Sequence, residues 1–151
     1  AVIADRPLVS VRPYTLALHC RPAVEGGCKW AATGRYARLP DELSQFGGTY
    51  PDATINQGYL QAAAELLGKF RRDSRLTIVS THDYLIKAMA ARRYEWWDAN
   101  GWIMTDGLPV KNAALWQNLA GAAQRHAKVS WVRPYAVEHR NLLEAAAELS
   151  R

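Results

Sequence analysis

Asn100-Gly101-Trp102-Ile103-Met104-Thr105-Asp106-Gly107-Leu108-Pro109-Val110-Lys111-Asn112-Ala113-Ala114-Leu115-Trp116-Gln117 is the most informative stretch of this chain. Gly101 and Gly107 mark turns, because glycine alone adopts left-handed backbone without steric cost. Pro109 closes the irregular part and precedes a predicted amphipathic helix over residues 112–126. Its apolar face is Leu115, Trp116, Leu119 and Ala122, recurring at spacings of three and four. Trp102, Leu115 and Trp116 are read as core or loop-anchoring residues. A turn-rich connector therefore leads into a helix that needs a surface to pack on.

Upstream, residues 14–19 (Tyr-Thr-Leu-Ala-Leu-His) alternate between faces and read as a strand. Pro22, Gly26 and Gly27 suit a turn, with further strands predicted over residues 28–32 and 35–39 and another turn at Gly47-Gly48-Thr49. Residues 56–70 change to helical period through Leu60, Ala63, Ala64 and Leu67. Residues 76–80 form a short β-branched run, as a buried strand requires. Helices are predicted over 84–91 and 93–97, a strand over 129–132 and a last helix over 141–149. Residues 1–13 read as an irregular leader, since Pro7 and Pro13 interrupt regular structure. The expectation is one domain over 14–151: α/β, a five-stranded mixed sheet whose first three strands are antiparallel, with helices on both faces.

With 151 residues the chain can bury a real core, and at 49% hydrophobic and 22% charged residues it has the balance of a globular fold. No apolar run approaches the ~20 residues of a membrane span. The formal charge of +5 permits an anionic partner without pointing to one, because both signs occur in every third of the chain. Cys20 and Cys28 are the only cysteines and form no zinc-like spacing, so free thiols are expected, a disulfide being the alternative. A cytoplasmic location is expected from sparse cysteine and the lack of an export-like segment.

Residues 100–102, 106–107, 109–112 and 115–117 together resemble bacterial type 1 ribonuclease H, where such a stretch links a basic handle to the following helix. The similarity runs on through Trp131-Val132-Arg133, and upstream through Gly26-Gly27, Thr54, Asn56 and Ser80-Thr81. That family hydrolyses the RNA strand of RNA–DNA hybrids with two divalent cations, Mg²⁺ or Mn²⁺, held by carboxylates. The resemblance places those carboxylates at His19, Tyr59, His82 and Ala145, and a loop histidine at Tyr135. None of these residues is acidic, and neighbouring Asp83 and Glu144 are each one residue out of register, which reverses or rotates the side chain. The expected protein is thus a degenerate, catalytically inactive ribonuclease H-like domain with no metal cofactor.

Binding to nucleic acid, either hybrid or duplex, can outlast the chemistry because it rests on the backbone. Arg92, Arg93, Trp96 and Trp97 in the handle, with Lys87 and Lys111, combine cations and aromatic surface, while Thr54 and Asn56 match polar positions near the hybrid groove. Against this, Glu95 and Asp98 dilute the handle, and Arg21-Pro22-Ala23-Val24-Glu25 replaces the family's Gly-Asn-rich loop. Two alternatives stand beside it. One is a purely protein-binding or structural module with a sealed cleft. The other is a residual hydrolase in which His19 and His82, with Cys20 or Asp83, bind a borderline metal.

Overall fold

The computed structural model describes residues 12–151. In chain order the elements are β1 (Arg12–Pro22), β2 (Cys28–Tyr36), β3 (Ser44–Tyr50), α1 (Ile55–Leu67), β4 (Ser74–Val79), α2 (Asp83–Ala90), α3 (Arg93–Ala99), α4 (Ala113–Gln124), β5 (Lys128–Val132) and α5 (Val137–Leu149). The sheet order is β3-β2-β1-β4-β5. β1, β2 and β3 pair antiparallel, while β1–β4 and β4–β5 are parallel. The sheet is therefore the five-stranded mixed sheet expected, with helices on both faces.

Alternation along the strands explains the layers. Leu16, Leu18, Cys20, Trp30, Ala32, Leu76 and Ile78 face the helical layer that includes α1, α2 and α4, where they meet Leu60, Leu85, Trp116 and Leu119. Ala17 and Val79 point to the other face, against Leu142 of α5. On that side the buried Thr33 hydroxyl donates to the Leu142 carbonyl at 2.6 Å, which fixes α5 over β1 and β2. Cys20 and Cys28 are both buried free thiols, as expected.

Three expectations change. The third strand is not residues 35–39, which hold only the end of β2 and the turn after it, but Ser44–Tyr50, running through Gly47 and Gly48. Those glycines serve close approach: a Cβ at position 48 would lie 2.9 Å from Trp30 Nε1. Second, β1 begins at Arg12, inside the stretch read as leader, and includes Pro13. Pro13 lies beyond the β1–β2 ladder, which starts at Tyr14–Tyr36, so its missing N–H costs that ladder nothing. The rest of the leader lies outside the described residues. Third, α5 starts at Val137, a turn before residue 141. Its first turn carries the exposed Val137, Glu138 and Arg140, which give no apolar period to read.

Candidate functional site

β1, β4 and β5 run parallel, so their C-terminal ends open on one side of the sheet, where ligands bind in open α/β folds. The β1–β4 ladder ends at Ala17–Val79, which leaves His19 and the segment Ser80-Thr81-His82 just past it. The Ser80 Oγ accepts the His82 N–H at 3.1 Å and turns the chain into α2, whose N-cap is His82.

Tyr59 enters this site from α1, only 4% exposed. Its ring lies flat on that of His82, with centroids 3.9 Å apart and planes 8° from parallel. His82 Nε2 donates to Asn56 Oδ1 at 2.8 Å, so one turn of α1 grips the imidazole by face and by edge. Burial lowers the His82 pKa against an opposing pull from Asp83, and burial together with the Arg21 charge lowers that of His19. Burial also raises the Tyr59 pKa. Each of these shifts favours the uncharged ring.

The charges nearby are chiefly cationic. Arg21, at the end of β1, donates through Nε to Ser150 Oγ at 2.9 Å and through Nη2 to the Ala147 carbonyl at 2.8 Å. Arg133, just after β5, donates through Nη1 to the Thr81 carbonyl at 3.0 Å and to the Asp83 carboxylate. Asp83 also faces Lys87 Nζ at 3.8 Å, so two cations surround this one carboxylate. Ala145 lies half-buried on α5, with Glu144 exposed beside it. Tyr135 is 74% exposed and meets His139 edge-on at 4.5 Å. His139 Nδ1 accepts the Tyr135 N–H, tying the loop to the start of α5.

His82 pairs with Tyr59 by its face and with Asn56 by its edge. Cys20 points into the core on the opposite face from His19, and Asp83 is engaged by Arg133 and Lys87. Among the described residues no group of three or more His, Cys, Asp or Glu side chains is close enough to hold a metal ion.

The polar groups near the groove have structural partners. Thr54 caps α1, its Oγ1 accepting the Gln57 N–H while Gln57 Oε1 accepts the Thr54 N–H, a reciprocal capping box. Asn56 holds His82. In the handle, Trp97 is packed between Trp102 and Trp116, with centroids 5.8 and 5.3 Å away. Arg92 pairs with Glu95 at 3.1 Å, and Trp96 is 47% exposed. Lys87, Arg93 and Lys111 line a groove of about 460 Å³ together with Trp97, Met104 and Leu108.

The connector from Asn100 earns its pattern locally. Gly101 (φ +66°) and Trp102 (φ +63°) are both left-handed, and the Trp102 N–H donates to the Trp97 carbonyl at 2.7 Å. Ile103 bridges back to Pro109. Asn112, left-handed at φ +60°, accepts from Gln57 at 3.2 Å and donates to the Tyr84 hydroxyl at 3.0 Å, joining α1, α2 and α4.

A sequence model of RNase H matches residues 20–143. The chain belongs to the RNase H family. Its relatives include a ribonuclease H of Chelativorans sp., 38% identical over 124 residues covering 81% of this chain and 72% of that protein. Another, from Symbiobacterium thermophilum, is 34% identical over 104 residues covering 69% and 68% respectively. The matched segment spans about two thirds of several relatives' own length, 65% for the ribonuclease H of Caldanaerobacter subterraneus.

Among solved structures, a foamy viral protease-reverse transcriptase in complex with RNA/DNA hybrid superposes with a TM-score of 0.72 at 14% identity, covering 92% of this chain and 19% of that one. A type 1 RNase H with the type 2 active-site motif gives 0.63 at 21% identity, covering 93% and 72%. Both likenesses show the RNase H fold. Arg21, Arg133 and His139 were not singled out from the sequence as site residues. The partners of the two arginines lie far away in sequence, Arg21 and Ser150 being 129 residues apart, whereas His139 meets Tyr135 four residues before it.

Proposed function

We propose that this RNase H-family chain is silent in hydrolysis and serves as a nucleic-acid-binding domain. The observation that carries the reading is the Tyr59–His82 stack at two of the positions where the resemblance expects carboxylates. A pair of hard divalent cations needs anionic oxygen donors to offset their charge. The groups present are two imidazoles, a phenol and a methyl group, with Arg21 and Arg133 close by. Such a donor set does not suit the two ions, and no step is assigned to them. The His-based metal alternative is disfavoured because, among the described residues, no third His, Cys, Asp or Glu side chain is close enough to complete a site.

Nucleic-acid binding draws support from the family, from the net charge of +5 and from Lys87, Arg93 and Lys111, which line one largely apolar groove with Asp83 and Asp106. The structural relative seen with RNA/DNA hybrid agrees with it. One observation favours the protein-binding alternative: Ile103, Met104 and Leu108 of the connector are exposed apolar side chains.

The test has two parts. Labelled RNA–DNA hybrid incubated with the protein and Mg²⁺ or Mn²⁺ should remain uncut. Titration with hybrid, duplex DNA and single strands should show binding that weakens as salt rises. Metal-dependent cleavage lost in His19→Ala would overturn the first half. Binding weaker than about 1 mM at low salt, or indifferent to salt, would overturn the second.

A further inference from the structure

We propose that Arg21, at the end of β1, and Arg133, just after β5, hold a nucleic-acid phosphodiester directly across this cleft, in the place of divalent cations. The inference rests on the nucleic-acid reading above and specifies how the same site would engage its ligand. Divalent ions are needed in such a cleft when two anionic parties, a carboxylate cluster and a phosphate, must be brought together. With imidazole, phenol and methyl groups at the carboxylate positions, that repulsion is gone. What a phosphodiester then needs is a fixed cation with directed donors.

Arg21 supplies one. A guanidinium has five N–H donors in a rigid fork, and Arg21 commits two of them, to Ser150 Oγ and to the Ala147 carbonyl. Both partners sit at the C-terminal end of α5, so the group is held in place while other donors stay free. Its charge is near enough to act on both His19 and Tyr59. Among the described residues no carboxylate bonds it.

Arg133 supplies the second from just after β5. It is anchored on the Thr81 carbonyl and on Asp83, and about half its side chain remains exposed. Asp83 does not cancel the local charge, because Lys87 shares it. In the order β1-β4-β5 the two arginines thus come from the strands that flank β4, the strand that leads into the stacked His82. Planar guanidinium forks match phosphate oxygens better than ammonium groups do. Exposed Tyr135 stands by the Arg133 end.

The experiment is a hybrid titration by fluorescence anisotropy at matched ionic strength, in EDTA and in Mg²⁺. Affinity in EDTA should equal or exceed that in Mg²⁺. R21Q and R133Q should each weaken binding about 5- to 10-fold and lower the salt slope by about one. Because each arginine also ties elements together, circular dichroism melts accompany both variants. H19D supplies an independent readout that leaves those ties alone: one carboxylate beside Arg21 should reduce affinity in EDTA and make Mg²⁺ restore it.

A requirement for Mg²⁺ in the unmodified protein would overturn the inference. So would unchanged affinity in folded R21Q and R133Q, with binding lost instead when Lys87, Arg93 and Lys111 are changed to Gln; nucleic-acid binding would then stand without this site. Absence of hybrid binding under every condition would remove the underlying reading as well.

Discussion

The connector over residues 100–117 and the cleft beyond β1 and β4 lie in one fold but hold different kinds of residue. In the connector, the side chains that resemble the family pack the protein itself: Trp116 in the core, Trp102 beside it against Trp97 of α3, Asn112 between three helices. In the cleft lie His19, Tyr59 and His82, which the sequence resemblance sets at places where a nuclease needs charge rather than packing. Changing a packed tryptophan costs stability at once. Changing a carboxylate that serves only chemistry removes buried repulsion and need not cost the fold anything. The two regions are therefore free to diverge at different rates, and family membership by itself does not imply the reaction.

Four perturbations would break or sharpen this contrast. Trp116→Ala should cost the most, about 3–5 kcal/mol, by leaving a cavity between α4 and the sheet. Urea denaturation would measure it, and a loss under about 1 kcal/mol would mean the connector is not the structural half. Next, His82→Ala should cost about 1–2 kcal/mol, by unpairing Asn56 and uncovering Tyr59. If it instead stabilised the fold, the stack would be strained rather than cohesive.

Third comes pH. His19 and His82 have folded pKa values below their ordinary value, so the unfolded chain binds more protons as pH falls below 6.5. Stability should be full above that point and decline as pH drops toward the lowered values. A urea midpoint series from pH 7.5 to pH 5.5 should show it, and the decline should be shallower in His82→Gln. Last, Trp96→Ala on the exposed face of α3 should shift stability by no more than about 0.5 kcal/mol while weakening hybrid binding. Unchanged affinity would remove Trp96 from the interface.

Much of the fold was readable because its signals are local. The helix on Leu115, Trp116 and Leu119 and the β-branched fourth strand each show within a few residues. The third strand was not, since Gly47 and Gly48 look like turn residues until Trp30 is seen lying over them. The cleft was half legible. The resemblance supplied the positions His19, Tyr59, His82 and Ala145, but not that Tyr59 would stack on His82 or that Asn56 would bind it. Arg21 was visible only as part of a departing loop, because its meaning depends on α5, more than a hundred residues later. Thr54 and Asn56 matched polar groove positions, yet the bonds they make are a helix cap and a grip on His82.

The flat contact between Tyr59 and His82 also bears on how this lineage can change. An acid introduced at position 59 alone would be buried against an imidazole, and one at position 82 alone would face a phenol ring and the Asn56 carbonyl oxygen. Acids at both positions would add mutual repulsion to the cost of burying each. The stack therefore biases these two positions against charge, singly or together, while exchange among neutral residues of similar shape stays open.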